Sequence, residues 1–525
     1  MSLKSPFIIL ILSSILGLAS CRLFNPEPLP NVQESLPNKF SQFTTDAAPE
    51  KWWWETFNDS ELNALVEVAF SENMTLKEVW ARLKQAKARA VQAGADKYPD
   101  LTGTAGASHS RTRTKNTSAA TSTSEDYSLG LSSSYELDLW GRVRAEQKAA
   151  ILSAEASKQD LNVAAITLAA EVTSRWLQII TQRTQKHLLN EQLKINRTFL
   201  ELIELRFRHA MVSALDVYQQ QQVIDQVQAQ IPLVEAQESR LMNELSVLLG
   251  KVPRSPLVIS RPDLPKLTPM PSTGIPADLL ENRPDIRAAQ LRLQSAGWNV
   301  SAARADRLPS LSLSASAIFA NEHLNLLLDN WVLSLAANLT APIFDGNRRA
   351  AEVDRTMALK DENLAAYRKT ILTAIREVED ALITEAKQQE HILELKQVIQ
   401  TARKALDQAT LRYRNGLTDY LPVLTQLLSV QDIERNLITQ QATLLTNRIS
   451  LYRSLGGTWT EDLIFKPKLS NFLLDLHQSL AHQGLAKSLD ISIGMPALFA
   501  NLAASRSRHI SSQKNAQLRL QTVSS

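Results

Sequence analysis

Two stretches of this 525-residue chain repeat each other: RFRHAMVSALDV at residues 206–217 and RYRNGLTDYLPV at residues 412–423. The offset of 206 positions (412 − 206) persists on both sides of these stretches. It relates Glu171-Val172 to Glu377-Val378 and Leu249-Gly250 to Leu455-Gly456. A duplication this long predicts two copies of one large structural unit. We place the first copy at residues 58–250 and the second at 276–457, with a Pro-rich connector at 251–275.

The composition of the chain favours long helices over a sheet-rich globule. Only 15 residues are Gly and 6% are aromatic, while Ala, Leu, Gln, Glu, Arg and Lys dominate long stretches. The formal net charge is +3, with basic and acidic residues interleaved. We therefore expect no nucleic-acid partner, because such a partner calls for a concentrated positive surface.

The N-terminus has the features of a secretory signal peptide over residues 1–20. Lys4 precedes an apolar run from Phe7 to Leu18, which is too short to span a bilayer as a helix. The only cysteine, Cys21, follows Leu18-Ala19-Ser20, an ending that looks like a lipobox. We predict that Cys21 is lipidated and that residues 21–57 form an extended lead. The alternative is an ordinary signal peptide with a coincidental cysteine.

Two pairs of segments show the period-two alternation of β-strands. From Tyr127 to Leu139 the odd positions are mainly apolar and the even positions are small or polar. Residues 101–112 are a weaker partner strand, and the Ser/Thr-rich residues 113–125 are expected to form a loop. The second copy repeats the alternation at 311–319 and 331–339. The sequence thus predicts one β-hairpin per copy, at about 101–139 and about 311–341.

A very long helical segment follows each predicted hairpin. Residues 142–211 and 347–416 carry apolar residues at three- and four-residue spacing, typical of coiled-coil-like packing. Each segment would be about 105 Å long at 1.5 Å per residue. A turn at Ala210 or Gly416 then leads into a shorter return helix, and Pro232 should kink or break the first of these. Residues 458–525 fit neither copy and are treated as a C-terminal tail.

The predicted strands suit a membrane, with lipid against one face and water against the other. Open sheet edges cannot face hydrocarbon, since their N–H and C=O groups would be unsatisfied. Four strands do not close a barrel, so a membrane-spanning sheet requires oligomerisation: two copies give 8 strands and three give 12. The alternative is a soluble four-stranded sheet packed on helices.

Several short motifs then appear in the order typical of one family. The chain resembles the outer membrane factors, the TolC-like channels, and most closely their lipoprotein (NodT-type) branch. The resemblance covers Trp53 to about Leu455. The matching segments are WWETF (53–57), YELDLWG (135–141), RPDIR (283–287), FDG (344–346), EVEDAL (377–382) and YRNG (413–416).

The resemblance implies a fold and a function. The fold is mainly α with β, internally duplicated, with a long α-helical periplasmic barrel and four transmembrane β-strands per chain. A homotrimer would form a 12-stranded β-barrel in the outer membrane. It would act as a passive exit duct for drugs, toxic compounds, metals or secreted proteins, joined to an inner-membrane pump through a periplasmic adaptor. Two alternatives are the exit duct of a type I protein secretion system, with the same fold, and a non-channel periplasmic coiled-coil lipoprotein.

The resemblance also places a periplasmic aperture at the two turns, 206–217 and 412–424. It implies that Leu421 forms a constricting ring, that Asp419 or Asp216 holds charge contacts between helices, and that Thr418 and Thr425 line the opening. Family members often carry an acidic residue where this chain has Thr425. Ala210 stands where the family turn prefers Gly, so the Ala210 turn is expected to differ from the Gly416 turn.

The remaining residues argue against an enzyme. The eight His residues are scattered without metal-ligand spacing, and we find no nucleophile–base pair, no phosphate loop and no carboxylate pair in a cleft-like context; no cofactor is expected. The three tryptophans Trp52, Trp53 and Trp54 are interpreted as a packing anchor for the N-terminal segment. Trp140, Trp331 and Tyr135, near predicted strand ends, are interpreted as interfacial aromatics.

Overall fold

The computed structural model describes residues 24–28, 37, 39–41, 52–115, 119–271, 273–457 and 459–460. The predicted signal peptide at 1–20, the predicted lipidation site Cys21 and the predicted tail, apart from Trp459 and Thr460, lie outside these described residues. The account below concerns the described part of the unit that extends to Phe465.

The two copies have nearly the same order of elements. After a 3₁₀ turn at Trp53–Phe57, the first copy contains α1 (Ser60–Glu72), α2 (Met74–Ala95), β1 (Asp100–Lys115), β2 (Ala119–Leu137), α3 (Arg142–Arg208) and α4 (Ala214–Leu248). The second contains α5 (Leu279–Asn282), α6 (Pro284–Ala305), β3 (Ser310–Asn321), β4 (Trp331–Thr340), α7 (Arg348–Arg414) and α8 (Leu421–Leu455).

The long helices of the two copies are equal in length. Helices α3 and α7 each have 67 residues, or about 100 Å, and α4 and α8 each have 35. The sequence predicted a kink or a break at Pro232. A break is wrong, because α4 runs through Pro232 as one helix. The proline ring removes one backbone N–H donor. A helix with long segments on both sides of the proline tolerates the loss of that hydrogen bond.

The four strands form one antiparallel sheet in the order β1-β2-β3-β4. The expected loop at 113–125 is wrong, because β1 and β2 have 16 and 19 residues and continue through most of that segment. Serine and threonine alternate there with no apolar face, so the period-two signal is missing although the backbone is extended. Polar strands of this kind are invisible to a search for apolar alternation.

The register of the sheet keeps its apolar side chains on one face. Rows across the sheet join Leu311 to Leu137 and Leu339, and Phe319 to Leu129 and Trp331. The same face continues onto β1 as Leu101, Gly103, Ala105 and Ala107. Much of it is exposed in the single chain, including Leu131, Leu333, Leu335 and Leu339. The sheet therefore presents a broad apolar surface that the chain itself does not cover.

The opposite face of the sheet is small and mostly polar. Its side chains include Thr102, Thr104, Ser128, Gly130, Ser132, Ser134, Ser312, Ser314, Ser316, Ser334 and Asn338. An antiparallel sheet with one apolar and one polar face separates an apolar phase from water.

Helix α3 is the central element of the helical part, in contact with α2, α4, α6 and α8. One 18-residue stretch of α3 is apolar enough to cross a bilayer by composition, but 61% of it is buried inside the protein. Its Trp176 is fully buried. The apolar composition of this stretch of α3 is thus explained by its burial in the protein core.

The N-terminal tryptophans anchor the start of the first copy to the end of the second, as the sequence predicted. Trp53 stacks on Tyr452 at 5.2 Å between ring centroids, and Trp54 packs edge-on against Trp459 at 4.9 Å. Both Trp53 and Trp54 are buried. Buried aromatic pairs of this kind contribute beyond their apolar area.

A buried ion pair ties the connector to the second helical hairpin. Arg448 on α8 and Glu385 on α7 are 1% and 0% exposed at their side chains. Arg448 Nε donates to Glu385 Oε2 at 2.9 Å, and a second guanidinium nitrogen donates to the other carboxylate oxygen. The guanidinium also donates to the carbonyl oxygens of Thr268 and Pro269, at 2.9 and 2.7 Å.

We expect Glu385→Gln to destabilise the protein by about 3–5 kcal/mol, because it leaves the Arg448 charge buried without a counter-charge. Chemical unfolding in detergent measures the change. The matched control is Glu390→Gln, which breaks the exposed ion pair with Lys387. That change is expected to cost less than about 1 kcal/mol. Equal effects of the two substitutions would contradict the structural role of the buried pair.

Candidate functional site

The ends of the two helical hairpins, at residues 206–217 and 412–424, are the candidate site. Each long helix ends in the same hydrogen-bonded turn. Met211 N–H donates to Arg206 O, and Ala210 N–H to Phe207 O, both at 2.9 Å. The equivalent bonds of the second copy run from Leu417 to Arg412 and from Gly416 to Tyr413, at 2.9 and 3.0 Å. This is a Schellman motif, which satisfies the last carbonyl groups of a helix.

The expected difference between the Ala210 and Gly416 turns is wrong. Ala210 has φ 56° and Gly416 has φ 72°, so both residues adopt the left-handed conformation. The alanine accepts a strained backbone of about 1 kcal/mol because the turn bonds fix its geometry. The two copies therefore have the same turn, with strain stored in only one of them.

The two turns share one small hydrophobic cluster, which we call the turn cluster. Its buried members are Ile203, Val223, Tyr413, Tyr420, Val423 and Leu424. Arg206 from the first turn lies over the ring of Tyr413, 4.3 Å from its centroid, and donates to the Tyr413 carbonyl at 3.2 Å. Arg206 thus joins the first hairpin to the second through a cation–π contact and a hydrogen bond.

A chain of buried polar side chains continues from the turn cluster along α3, α4 and α8; we call it the polar seam. The Tyr420 hydroxyl donates to Gln220 Oε1 at 2.6 Å, and Gln220 Nε2 donates to Asn196 O at 2.8 Å. Asn196 and Gln431 exchange two amide hydrogen bonds, at 3.0 and 3.3 Å. Gln192 donates to the Gln431 carbonyl at 3.1 Å. Directional bonds of this kind fix the register of helices that apolar contacts alone leave free to slide.

The protonation state of the seam is set by burial. Burial raises the pKa of the Tyr420 hydroxyl, and the nearby Tyr413 and the Asp216 carboxylate act in the same direction. Tyr420 therefore remains a neutral donor to Gln220 at any physiological pH.

The residues predicted around Leu421 lie on the exposed side of this arrangement. Leu421 is 56% exposed at the start of α8, and Asp419, two residues before it, is also exposed. Thr418 is half-buried, and among the described residues its hydroxyl has no hydrogen-bond partner. The Thr425 hydroxyl donates to the Leu421 carbonyl at 2.9 Å.

Asp216 lies in the first turn of α4. Its carboxylate accepts from the backbone N–H and the hydroxyl of Ser213, both at 3.0 Å, and so closes a capping box at the start of α4. Its hydrogen bonds within the described chain stay inside its own helix. Asp216 acts on the second hairpin through charge, since it contributes to the raised pKa of Tyr413 and of Tyr420.

The sequence reasoning missed Arg206, Tyr420 and the polar seam. No role was predicted for the glutamine and asparagine residues of the long helices. Their spacing carried the missing signal, because Gln192 and Asn196 fall on the same stripe as the buried Leu189, Leu193 and Ile203. A polar residue on an apolar stripe is buried with a partner.

The comparison with known proteins agrees with this architecture. The sequence model of the outer membrane efflux protein family matches residues 65–251 and 275–457, which is most of the chain. The chain belongs to this family. The first matched segment ends where the Pro-rich connector begins, and the second begins where the connector ends.

Relatives within the outer membrane efflux proteins are similar over nearly their whole length. The pyoverdine export outer membrane protein OpmQ of Pseudomonas aeruginosa is 32% identical over 424 residues, 80% of this chain and 90% of the relative. The outer membrane protein OprJ of the same species is 31% identical over 464 residues, 86% of this chain and 95% of the relative.

The solved structure of the outer-membrane channel OprN has the same fold. It superimposes with a TM-score of 0.78 at 29% identity and covers 84% of this chain and all of that chain. The protein is therefore an outer membrane efflux protein of the TolC-like type, mainly helical with a smaller strand region.

We expect Ala210→Gly to stabilise the protein by about 1 kcal/mol and Gly416→Ala to destabilise it by a similar amount. No atom lies within 4 Å of a Cβ built on Gly416, so the change reports backbone strain without a clash. Denaturant midpoints of the two variants measure the effect. Shifts of the same sign would show that the turns are not equivalent.

We expect Tyr420→Phe to cost about 1–3 kcal/mol, because Gln220 Oε1 is left buried without its donor. Tyr218→Phe is the control, since Tyr218 is 73% exposed. The folded pKa of Tyr420 lies above the ordinary value of 10.0, so the contribution is present below pH 10 and falls as the pH rises beyond it. Unfolding free energies at pH 7, 9 and 11 test this; a difference from wild type that is unchanged at pH 11 would contradict it.

Proposed function

We propose that the protein forms a homotrimeric exit duct through the outer membrane, with a 12-stranded β-barrel built from four strands of each chain. The observation that supports it most is the sheet itself. It carries one apolar and one small polar face in register across all four strands, and β1 and β4 are open edges. All ten residues of β4 are exposed in the single chain. Such edges are stable in hydrocarbon only when another chain pairs with them.

Three copies fit a duct better than two. An eight-stranded barrel has an interior just wide enough for its own side chains, whereas 12 strands leave a passage. The inward face is built mainly of Ser, Thr, Gly and Ala, including Ser128, Ser132, Ser312 and Ser316. Small inward side chains keep the passage wide and wet.

The apolar band has a height that suits a bilayer. From Leu137 to Tyr127 the outward face spans ten steps of about 3.3 Å, which is about 25 Å when the strands tilt by about 40°. Trp331 and Phe319 lie with Tyr127 at the upper end of this band, as interfacial aromatics do. Trp140 lies at the other end, where its indole donates to the Pro309 carbonyl at 2.6 Å.

In this proposal Cys21 carries lipid that anchors the chain in the inner leaflet. Glu27 pairs with Lys360 of α7 at 3.0 Å, and Pro26 lies against Gly297 of α6. Lys360 is 12 residues from the start of α7 at Arg348, or about 18 Å along the helix. The six residue steps from Cys21 to Glu27 span at most about 20 Å. A lipidated Cys21 can therefore reach the base of the barrel.

The helical hairpins would then form the periplasmic tunnel, with the aperture at Leu421, Asp419, Thr418, Thr425 and Asp216. An inner-membrane pump would deliver substrates through a periplasmic adaptor protein. The export is passive, and we propose no enzymatic activity. Among the described residues no group of three His, Cys, Asp or Glu side chains could hold a metal.

Planar-bilayer recordings and the mass of the detergent-solubilised protein test the duct. We expect discrete conductance steps from a particle of three chains. Correctly folded protein of any mass that shows no conductance would instead support a non-channel coiled-coil lipoprotein.

We expect Leu421→Ala and Asp419→Ala to raise the single-channel conductance, because both side chains are exposed at the turn where we propose the aperture. Truncation of either would widen the opening. Thr443→Ala is the control, since Thr443 is an exposed threonine further along α8, outside the proposed aperture, whose hydroxyl is bonded to the Thr439 carbonyl. Unchanged conductance in both Leu421→Ala and Asp419→Ala would remove these residues from the aperture.

A further inference from the structure

The first hairpin is longer than the second. Strand β2 pairs with β3 only as far as Tyr127, which lies opposite Asn321. The β1–β2 ladder continues beyond that point from Ser108–Asp126 to Lys115–Ala119, a further eight residue pairs. This hairpin extension adds about 26 Å of paired strand at the end of the sheet away from the helices.

The outward face changes character at the start of the hairpin extension. Below it, the face carries Leu101, Ala105 and Ala107 on β1. Above it, the same alternation places His109, Arg111 and Arg113 outward, opposite Glu125, Thr123 and Thr121 of β2. The change occurs one row above Tyr127. Apolar, aromatic and cationic side chains thus follow one another along a single face.

Two of these cationic groups are not neutralised by the chain. His109 lies 3.4 Å from Glu125, which also accepts a hydrogen bond from the Tyr127 hydroxyl. Arg111 and Arg113 are exposed, and among the described residues no carboxylate lies within ion-pair distance of either guanidinium group. Their cross-strand neighbours are threonines, whose hydroxyl groups are hydrogen-bond donors.

The shorter second hairpin offers no such cations. Its connecting residues 322–330 contain Glu322 and Asp329 and no Lys or Arg. A neighbouring β4 of ten residues, paired from the base of β1 at Asp100, would reach only to about residue 109. Arg111 and Arg113 would then remain outside the contact between chains.

We propose that Arg111 and Arg113 bind the phosphate groups of outer-leaflet lipid headgroups. The inference rests on the proposed function, in which the sheet spans the outer membrane. Headgroups lie directly beyond the aromatic girdle of a membrane barrel, at the level of these side chains. Guanidinium groups bind phosphate in a bidentate manner, and the Cα atoms of residues two apart on one strand are about 7 Å from each other.

The proposed phosphate site lies on the same outward face as the apolar band that contacts lipid. This position favours a lipid headgroup over a soluble anion as the ligand. A headgroup held there has its acyl chains against the apolar band of the same strands. The Thr121 and Thr123 hydroxyls can bond the remaining phosphate oxygens. Three chains would provide three equivalent sites around the barrel.

Binding of phosphorylated lipid A to the full-length protein in detergent tests the proposal. We expect Arg111→Gln/Arg113→Gln to weaken binding about tenfold, because two charge-assisted contacts are lost. The control is Arg197→Gln/Arg368→Gln, which removes two exposed arginines from α3 and α7 and should leave the affinity unchanged. Arg111→Lys/Arg113→Lys should bind more tightly than the Gln variant and less tightly than wild type, because lysine keeps the charge and loses the bidentate contact.

Three outcomes would overturn the phosphate site: equal affinity of the Arg111→Gln/Arg113→Gln variant and wild type, equal binding of chemically dephosphorylated lipid A, or full displacement of the lipid by inorganic phosphate at matched concentration. Conductance of the same variants separates this inference from the proposed function. Wild-type conductance in a variant that no longer binds lipid supports both, whereas a wild-type protein without conductance refutes the duct whatever its lipid affinity.

Discussion

Backbone hydrogen bonding at the two edges of the four-stranded sheet is the constraint on which the rest of the structure depends. Each chain satisfies the ladders β1–β2, β2–β3 and β3–β4 internally and leaves β1 and β4 open. Hydrocarbon offers no partner for open N–H and C=O groups, so a sheet with an apolar outer face requires further copies of itself. Duplication within the chain supplies two hairpins in one sheet. In the duct that we propose, association of chains would pair the two open edges.

In the helical part, the two copies have the same backbone shape but different side chains at their turns. Helices α3 and α7 have equal lengths and end in the same left-handed turn. The return helices begin differently, since α4 has the Ser213–Asp216 capping box and α8 begins with Leu421-Pro422. Because the backbones are alike, the two hairpins pack side by side. Their side chains differ, and Arg206 of the first turn lies over Tyr413, which is in the turn cluster with Tyr420.

The spacing of apolar residues predicted those helices and strands in which buried positions recur at regular intervals. The long helices, the hairpins and the tryptophan anchor were all visible, because each depends on residue spacing or on a concentrated aromatic motif. The segment 113–125 was assigned to a loop because Ser and Thr alternate there without an apolar face. The Ala210 turn was expected to differ because a local preference for Gly was weighed without the bonds from Met211 and Ala210 that hold the turn.

The sequence by itself determined the duplication, the two hairpins, the helix lengths and the family, since these follow from local periodicity and from motifs in order. Only the tertiary structure decided which polar residues are buried. Gln192, Asn196, Gln220 and Gln431 resemble surface residues until three helices bring their amide groups within hydrogen-bond distance. It also decided which charges are paired. Arg448 meets Glu385 from 63 residues away in the chain, whereas within the described part of the chain no carboxylate lies within ion-pair distance of Arg111, which faces Thr123. The spacing of residues along one helix or strand shows which side chains share a face. Which side chains lie opposite that face depends on how another helix or strand packs against it.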